Sequence, residues 1–295
     1  MNASGRIGTP KVSVVIPCYN HARYLPDAVG SVTGQTYRDF EIIIVDDGST
    51  DGTRGVAEGL MEKNPGQAIT LIGQDNEGLS SARNTGISAA RGEFILPLDA
   101  DDMIEPDFIE ETVRVLEENP DVSVAYTDWR IFGEATDEQK AQRIGQEYDF
   151  SALLGRNYIH ACNLFRKKAW AEVGGYKREM SRGYEDWEFW ITLGEAGHAG
   201  KFIDRRLFLY RKHGPSMIDN SVRVNADIFA EIRRLHPGLY TTERLDRVID
   251  SLCREIACCQ EVCREQQKFI SDIHTVRGFI RRACTALFRR MGLVT

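Results

Sequence analysis

Two rhythms alternate through the first part of the chain. Short apolar runs occur at Val12-Ser13-Val14-Val15-Ile16-Pro17, Phe40-Glu41-Ile42-Ile43-Ile44-Val45, Ile69-Thr70-Leu71-Ile72 and Phe94-Ile95-Leu96-Pro97-Leu98. Runs of this length, rich in β-branched residues, predict strands covered on both faces, and Pro17 is expected to stop the first of them. Between the runs, apolar residues recur at helical spacing. Tyr24, Leu25, Ala28, Val29 and Val32 mark one face of a first helix. Asp51 or Thr53 can cap a second, which ends around Asn64-Pro65-Gly66. Ser80 or Ser81 opens a third through Ala90 with Gly92 as its stop, and a fourth starts at Pro106 and runs to Glu118. Strand and helix alternating in this way predict a doubly wound α/β fold with a mainly parallel sheet and right-handed crossovers.

From Val122 the rhythm loosens. A strand over Val122–Tyr126 leads into a polar segment, Phe132–Tyr148, that reads either as a flap over a crevice or as a surface loop. A short helix over Arg166–Val173 closes at Gly174-Gly175, another begins at Glu185-Asp186-Trp187, and Phe202–Arg211 is strand-like with His213 just beyond. Farther on, Leu245, Ile249, Leu252, Ile256, Cys259, Cys263, Ile270 and Ile273 follow steps of four and three, with Gln266 at the missed position. That heptad seam predicts a helical stalk that pairs with a second copy, giving a homodimer, or packs along the main domain. Phe279, Ile280, Ala283, Leu287 and Met291 then mark an apolar face flanked by Arg277, Arg281, Arg282, Arg289 and Arg290. A basic amphipathic helix of this kind either lies peripherally on an anionic membrane or docks on the acidic main body. The expected organisation is a catalytic domain over 1–235, with a nucleotide half about 11–103 and an acceptor half about 104–220, and a helical extension over 236–295.

Composition narrows the class. A chain of 295 residues with 42% hydrophobic and 27% charged residues holds one large soluble domain plus an appendage. The formal net charge of -7 excludes a general nucleic-acid binder. Met1–Lys11 carries no signal-peptide core, and no apolar run reaches the roughly 18–20 residues that span a bilayer. The seven cysteines are irregularly spaced, and Cys253, Cys258, Cys259 and Cys263 lack the paired spacing of a zinc site. Reduced thiols and a cytoplasmic location are the expectation.

The chemistry gathers where strands end. Phe94–Leu98 runs straight into Asp99-Ala100-Asp101-Asp102. In open α/β sheets, ligands bind beyond the carboxyl ends of the strands. Carboxylates there can hold Mg²⁺ or Mn²⁺ against a phosphate; the same residues also suit an acidic turn and helix cap.

Four stretches occur in order: Val12 to Asn20, Val45-Asp46-Asp47-Gly48-Ser49-Thr50-Asp51, Asn76-Glu77-Gly78-Leu79-Ser80-Ser81-Ala82-Arg83-Asn84, and Leu98-Asp99-Ala100-Asp101-Asp102. Together they resemble the signature of family 2 glycosyltransferases, which have the GT-A fold. The resemblance continues through Gly174-Gly175-Tyr176, Glu185-Asp186-Trp187 and Tyr210-Arg211-Lys212-His213, and covers roughly residues 11 to 220. It implies an inverting, non-processive enzyme. Such an enzyme moves a sugar from a nucleoside-diphosphate sugar, UDP-linked, to a hydroxyl of a glycan or lipid-linked acceptor, in cell-surface polysaccharide or glycoconjugate synthesis.

Residue roles follow from the same resemblance. Asp47 would accept from the base, Pro17, Tyr19 and Asn20 would line the base and ribose pocket, and Arg83 would face the diphosphate or base. Asp99 and Asp101 match the Asp-Xaa-Asp motif, with Asp101 as direct ligand of Mn²⁺ or Mg²⁺, Asp99 as sugar or ribose contact and Asp102 as support. Asp99, Asp102 and His213 are further metal candidates. Asp186 matches the general base, with Glu185 as its rival. The Gln-x-x-Arg-Trp motif and membrane helices of processive members are missing, as are phosphate-loop and dinucleotide fingerprints. Two other functions use the same features. A sugar nucleotidyltransferase would release pyrophosphate, and a non-catalytic nucleotide-sugar-binding scaffold would bind without turnover.

Overall fold

The computed structural model describes residues 8–135, 145–213 and 225–241. The chain divides into two compact units, Met1–Thr241 and Thr242–Thr295. The heptad seam, the Cys253–Cys263 cluster and the basic helix all fall in the second, outside the described residues; the middle of the Phe132–Tyr148 segment belongs to the first and also lies outside the described residues.

The first half alternates as expected: β1 (Val12–Cys18), α1 (Leu25–Thr33), β2 (Phe40–Asp47), α2 (Thr53–Lys63), β3 (Ile69–Gln74), α3 (Leu79–Ala89) and β4 (Phe94–Pro97). The rest adds β5 (Met103–Ile104), α4 (Phe108–Glu118), β6 (Val122–Gly133), α5 (Phe150–Leu153), β7 (Leu164–Arg166), α6 (Lys167–Val173), α7 (Glu185–Glu195), β8 (Ala199–Lys212) and α8 (Asn225–Leu235). Among the described residues one sheet has the order β3-β2-β1-β4-β7-β6-β8-β5. The pairs β1–β2, β2–β3, β1–β4 and β6–β8 are parallel, whereas β7 runs antiparallel to both β4 and β6, and β5 antiparallel to β8.

Pro17 does not stop β1. Pairing with β4 ends at Val15↔Pro97, while pairing with β2 continues to Cys18↔Asp46. The missing N–H of Pro17 therefore sits where one neighbour has already gone. At the other end of β2, Glu41 interrupts the apolar run and is buried. Its carboxylate accepts from Ser13 Oγ (2.7 Å), from the Arg91 backbone N–H (2.7 Å) and from Arg91 Nε (2.9 Å). Full pairing is what makes a buried acid tolerable there.

The core lies between the strands and the helices on their faces, with Val14, Ile16, Ile42, Ile44, Leu96, Leu25, Val29 and Phe108 all buried. Beyond α8, His236 Nδ1 meets Glu195 Oε2 at 2.6 Å and Nε2 meets Glu188 Oε1 at 3.1 Å, which ties the last described residues to α7. No helix of the described residues is long and apolar enough to cross a membrane.

Gly86 sets how closely α3 lies on the sheet. A Cβ there would meet Val15 Cγ1 at 2.4 Å and Val45 Cγ2 at 3.0 Å. Both obstacles are β-branched and stiff at χ1. Gly86→Ala should therefore lower stability in urea by about 1–3 kcal/mol through overpacking, against the ~1 kcal/mol that alanine ordinarily gains in a helix. An equal or higher urea midpoint would show that α3 can move away from the strands at no cost.

Candidate functional site

The carboxyl ends of β1 and β2 are laced together by short polar side chains. Asn20 adopts a left-handed φ of 57°, a conformation its short amide tolerates. Its Oδ1 accepts from the Thr50 backbone N–H at 2.8 Å, and its own N–H donates to Ser49 Oγ at 3.0 Å. Asp51 Oδ2 accepts from the Ala22 N–H at 3.0 Å, and Asp46 Oδ1 accepts from the Ser49 N–H at 3.0 Å. Pro17 is buried in β1, while Tyr19 stands 44% exposed at the rim, the one large apolar side chain exposed among the described residues.

Asp47 faces the next loop. Its carboxylate accepts from Gln74 Nε2 (2.7 Å) and from the N–H groups of Glu77 (3.0 Å) and Gly78 (2.9 Å). Three of roughly four lone-pair sites are thus engaged by the protein. The residue expected to read a base is also the fastener of the β3–α3 loop.

Arg83 lies in a different setting from the diphosphate contact expected of it. It is fully buried on α3. Its Nη2 donates to Asp99 Oδ1 at 2.7 Å and its Nη1 to Glu185 Oε1 at 2.5 Å, and its guanidinium sits 5.4 Å from the centroid of the Tyr176 ring. Burial alone would lower the Arg83 pKa, but the carboxylates of Asp99 and Glu185 outweigh it and hold the group well above its ordinary value. The next residue, Asn84, accepts from Trp170 Nε1 and the Tyr176 N–H, each at 3.0 Å, and donates to the Tyr176 carbonyl at 2.8 Å. Gly175, at φ 77°, leaves no room for a Cβ, which would meet Asn84 Oδ1 at 2.6 Å. The Arg83-Asn84 dipeptide thereby joins three separate motifs of the sequence.

Glu185 and Asp186 open α7, behind Tyr184 in the left-handed region at φ 59°. Such a φ is uncommon for a bulky residue and marks a position fixed by its surroundings. Glu185 is taken up by Arg83. Asp186 accepts from the Trp187 N–H (2.7 Å) and from Asn157 Nδ2 (3.3 Å). Burial, and then the neighbouring Glu185 carboxylate, push its pKa up to about 7.

Asp101 and Asp102 diverge. Asp102 is buried and its Oδ1 accepts from the Arg211 N–H at 2.8 Å. Burial, with the charges of Asp101 and Asp99, raises its pKa well above the usual carboxylate range. Arg211 Nε also donates to the Asp101 carbonyl at 2.6 Å. This strand-end arginine carries His213 to the acids, and His213 Nε2 donates to Asp101 Oδ2 at 2.8 Å. His21, from the β1–α1 loop, completes the group, with potential ligand atoms of His21, Asp101 and His213 all within 4.8 Å of one another. Sequence reasoning missed His21. A histidine one position after the Tyr-Asn turn carries no metal-ligand spacing, and only the fold sets it beside residues eighty and more positions away.

One carboxylate and two imidazoles within that reach fit a divalent cation. Asp99 is held by Arg83 and Asp102 by the Arg211 backbone, so neither joins that group.

Comparison with known proteins identifies the family and the fold. The family described as Glycosyl transferase family 2 matches residues 13–174. Chondroitin synthase of Escherichia coli is 30% identical over 67% of this chain and 29% of its own length. The putative glycosyltransferase EpsH of Bacillus subtilis is 38% identical over 70% of this chain and 56% of its own. The chain thus spans less than two thirds of either relative. Among solved structures, S. aureus TarS 1-349 in complex with UDP-GlcNAc superposes with a TM-score of 0.62 at 20% identity, covering 76% of this chain and 65% of that one. A mannosyltransferase from Pyrobaculum calidifontis, in complex with GDP-Man and Mn2+, gives 0.56 at 17% identity, covering 85% and 81%. At such identities the structural likeness establishes the fold, GT-A, and nothing finer.

Removing the Arg83 charge strands the buried Glu185 carboxylate and leaves the partly exposed Asp99 without its partner. Arg83→Met should destabilise by about 3–5 kcal/mol, the usual effect of breaking a buried pair. Stranded negative charge costs less as pH falls, so the deficit should be largest near about pH 8 and smaller near about pH 5. Urea unfolding at both pH values measures it; a pH-independent deficit would mean lost packing rather than stranded charge.

Proposed function

The chain belongs to glycosyl transferase family 2, and from that premise we propose that it transfers a sugar, with inversion, from a nucleoside-diphosphate sugar to an acceptor hydroxyl. The donor is UDP-linked and the acceptor a glycan or lipid-linked glycan, in assembly of a surface polysaccharide or glycoconjugate. The observation that carries the reading is the split between adjacent acids: Glu185 is consumed by Arg83, while Asp186 keeps a carboxylate with proton affinity near neutrality. A base poised near the working pH is what hydroxyl activation requires. The donor class draws support from the TarS complex with UDP-GlcNAc, and a cation from the Mn2+ of the mannosyltransferase complex.

The residues then divide the work. Tyr19 and Asn20, on the laced loops, line the nucleotide side, and the remaining lone pair of Asp47 is available to a base N–H. Asp99, oriented by Arg83, contacts the donor sugar or ribose. Asp101 and His213 would hold the cation, which supplies Lewis-acid stabilisation of the diphosphate charge when bound. Asp186 accepts the proton of the acceptor hydroxyl as its oxygen bonds to the anomeric carbon. The bond from that carbon to the diphosphate oxygen breaks in the same event and leaves its electron pair on the nucleoside diphosphate. One base on the acceptor side suffices for a single displacement.

Two experiments test this. Nucleotide release from a panel of NDP-sugars with Mn²⁺ or Mg²⁺ should be chelator-sensitive for one donor and lost in Asp101→Ala. Pyrophosphate release from a nucleoside triphosphate and sugar phosphate would instead identify a nucleotidyltransferase, and donor binding without turnover in any acceptor screen a scaffold.

For the base, kcat/KM should fall by about tenfold per pH unit below about pH 7, because protonated Asp186 cannot accept, and level off above it. Asp186→Asn should lose about 10²–10⁴-fold in turnover with nucleotide affinity unchanged. Normal turnover in that variant would move the role elsewhere.

A further inference from the structure

His21 has no structural task for its ring. The His21 carbonyl accepts the N–H groups of Tyr24 (2.9 Å) and Leu25 (3.0 Å), a backbone duty that any residue could perform. The imidazole lies between two aromatic neighbours, 5.9 Å from Tyr24 and 6.0 Å from His213 centre to centre, and Tyr24 and His213 are 4.5 Å apart. Its Nδ1 is shielded from solvent and has no hydrogen-bond partner. A buried polar atom without a partner calls for an explanation, and an unrecorded ion is among the ordinary ones. Here the lone nitrogen belongs to the residue whose ligand atom stands within 4.8 Å of those of Asp101 and His213.

Building on the proposed cation at Asp101, we propose that His21 is a third protein ligand. The site then takes Mn²⁺-type transition ions in preference to Mg²⁺. The argument is one of ligand chemistry. Mg²⁺ prefers oxygen and gives up its waters reluctantly, so a second imidazole adds little to its binding. Imidazole affinity grows along the first-row divalent metals from Mn²⁺ onward, so each added histidine widens the gap from Mg²⁺. Three protein ligands leave the remaining positions of a six-coordinate ion for diphosphate oxygens and water.

The position of His21 has a second consequence. It follows directly on Tyr19 and Asn20, and Asn20 is bonded to Ser49 and Thr50 on the neighbouring loop. A cation held by His21 therefore pins the loop that lines the nucleotide side, so metal occupancy and nucleotide affinity should rise together. Asp101 and His213 alone would leave that loop independent of the metal.

The test reads the metal directly. Mn²⁺ bound in the presence of UDP is examined by electron spin-echo modulation, which counts coupled ¹⁴N nuclei, and Mn²⁺ and Mg²⁺ affinities are compared by competition. The wild type should show two imidazole nitrogens and His21→Ala one. The Mn²⁺/Mg²⁺ affinity ratio should fall by roughly 10-fold or more in the variant, at least what loss of an outer-shell partner costs. His21→Gln should behave as His21→Ala does, which separates lost ligation from a collapsed loop. One nitrogen in the wild type, unchanged along with the ratio in both variants, overturns the assignment of His21. If Asp101→Ala removes the signal in the same series, the cation reading of Asp101 stands even so. Unaltered Mn²⁺ binding in Asp101→Ala, or none in the wild type, overturns both together.

Discussion

A guanidinium that is wholly buried must be neutralised where it lies, and that requirement organises this molecule. Arg83 comes from α3, packed on the parallel half of the sheet; Asp99 follows β4 in the middle of it; Glu185 opens α7 in the second half. Arg83 and Glu185 are buried and Asp99 partly so, and an isolated buried charge costs many kcal/mol while a pair must be closely matched to offset it. The three become tolerable only when the halves are docked in one arrangement. Gly86, one turn farther along the same helix, lets α3 approach Val15 and Val45 closely enough to deliver the arginine. Asn84, beside it, fixes the Gly174-Gly175-Tyr176 turn that leads toward α7. The ion triad fixes one point of the register between the two sides of the crevice.

The second constraint is the set of loops at the carboxyl ends of the parallel strands. Each is tied to its neighbour by a side chain that accepts backbone N–H groups: Asn20 to the β2–α2 loop, Asp51 back to the β1–α1 loop, Asp47 to the β3–α3 loop. Backbone groups that would otherwise need water are satisfied by the protein itself. Such a surface loses little conformational freedom when a ligand arrives. The far strand ends are held in the same way, since Arg211 spans the Asp102 carboxylate, the Asp101 carbonyl and the Asp27 carboxylate. That single residue carries His213 to Asp101.

The parallel half was legible because its signals are local. Three covered strands and the part-exposed edge strand β3, each of four or more residues and followed by a helical period, can be read without knowledge of tertiary contacts. In the second half β6, α6, α7 and β8 were legible too, but β5 and β7 were not, because they are two and three residues long and are held by their pairing with β8, β4 and β6. Periodicity has no purchase on elements of that length. The site divides along the same line. Asp101 and His213, each named as a metal candidate from a separate motif, are in contact at 2.8 Å. Arg83 was expected, from the family resemblance, to face the diphosphate or the base, and its partners are the protein's own carboxylates. Chemical type survives the step from sequence to structure, while the identity of the partner depends on burial, which one sequence does not display. His21 shows the limit, a residue without a motif that becomes visible only when the β1–α1 loop meets the end of β8.

Adjacent acids at a helix start are ambiguous in sequence because either could cap, pair or react. The fold separates them through charge. The side chain of Glu185 points to Arg83, and its negative charge, fixed there, acts on Asp186 next to it. Burial supplies the larger part of the rise in Asp186 proton affinity and the Glu185 charge the next, partly offset by the positive charge of Arg83. The left-handed Tyr184 and the Gly183 before it, at φ 108°, turn the chain so that two consecutive residues face different partners. A structural ion pair and a proton acceptor are therefore built from one dipeptide. The same arginine that holds the halves together distinguishes the two roles.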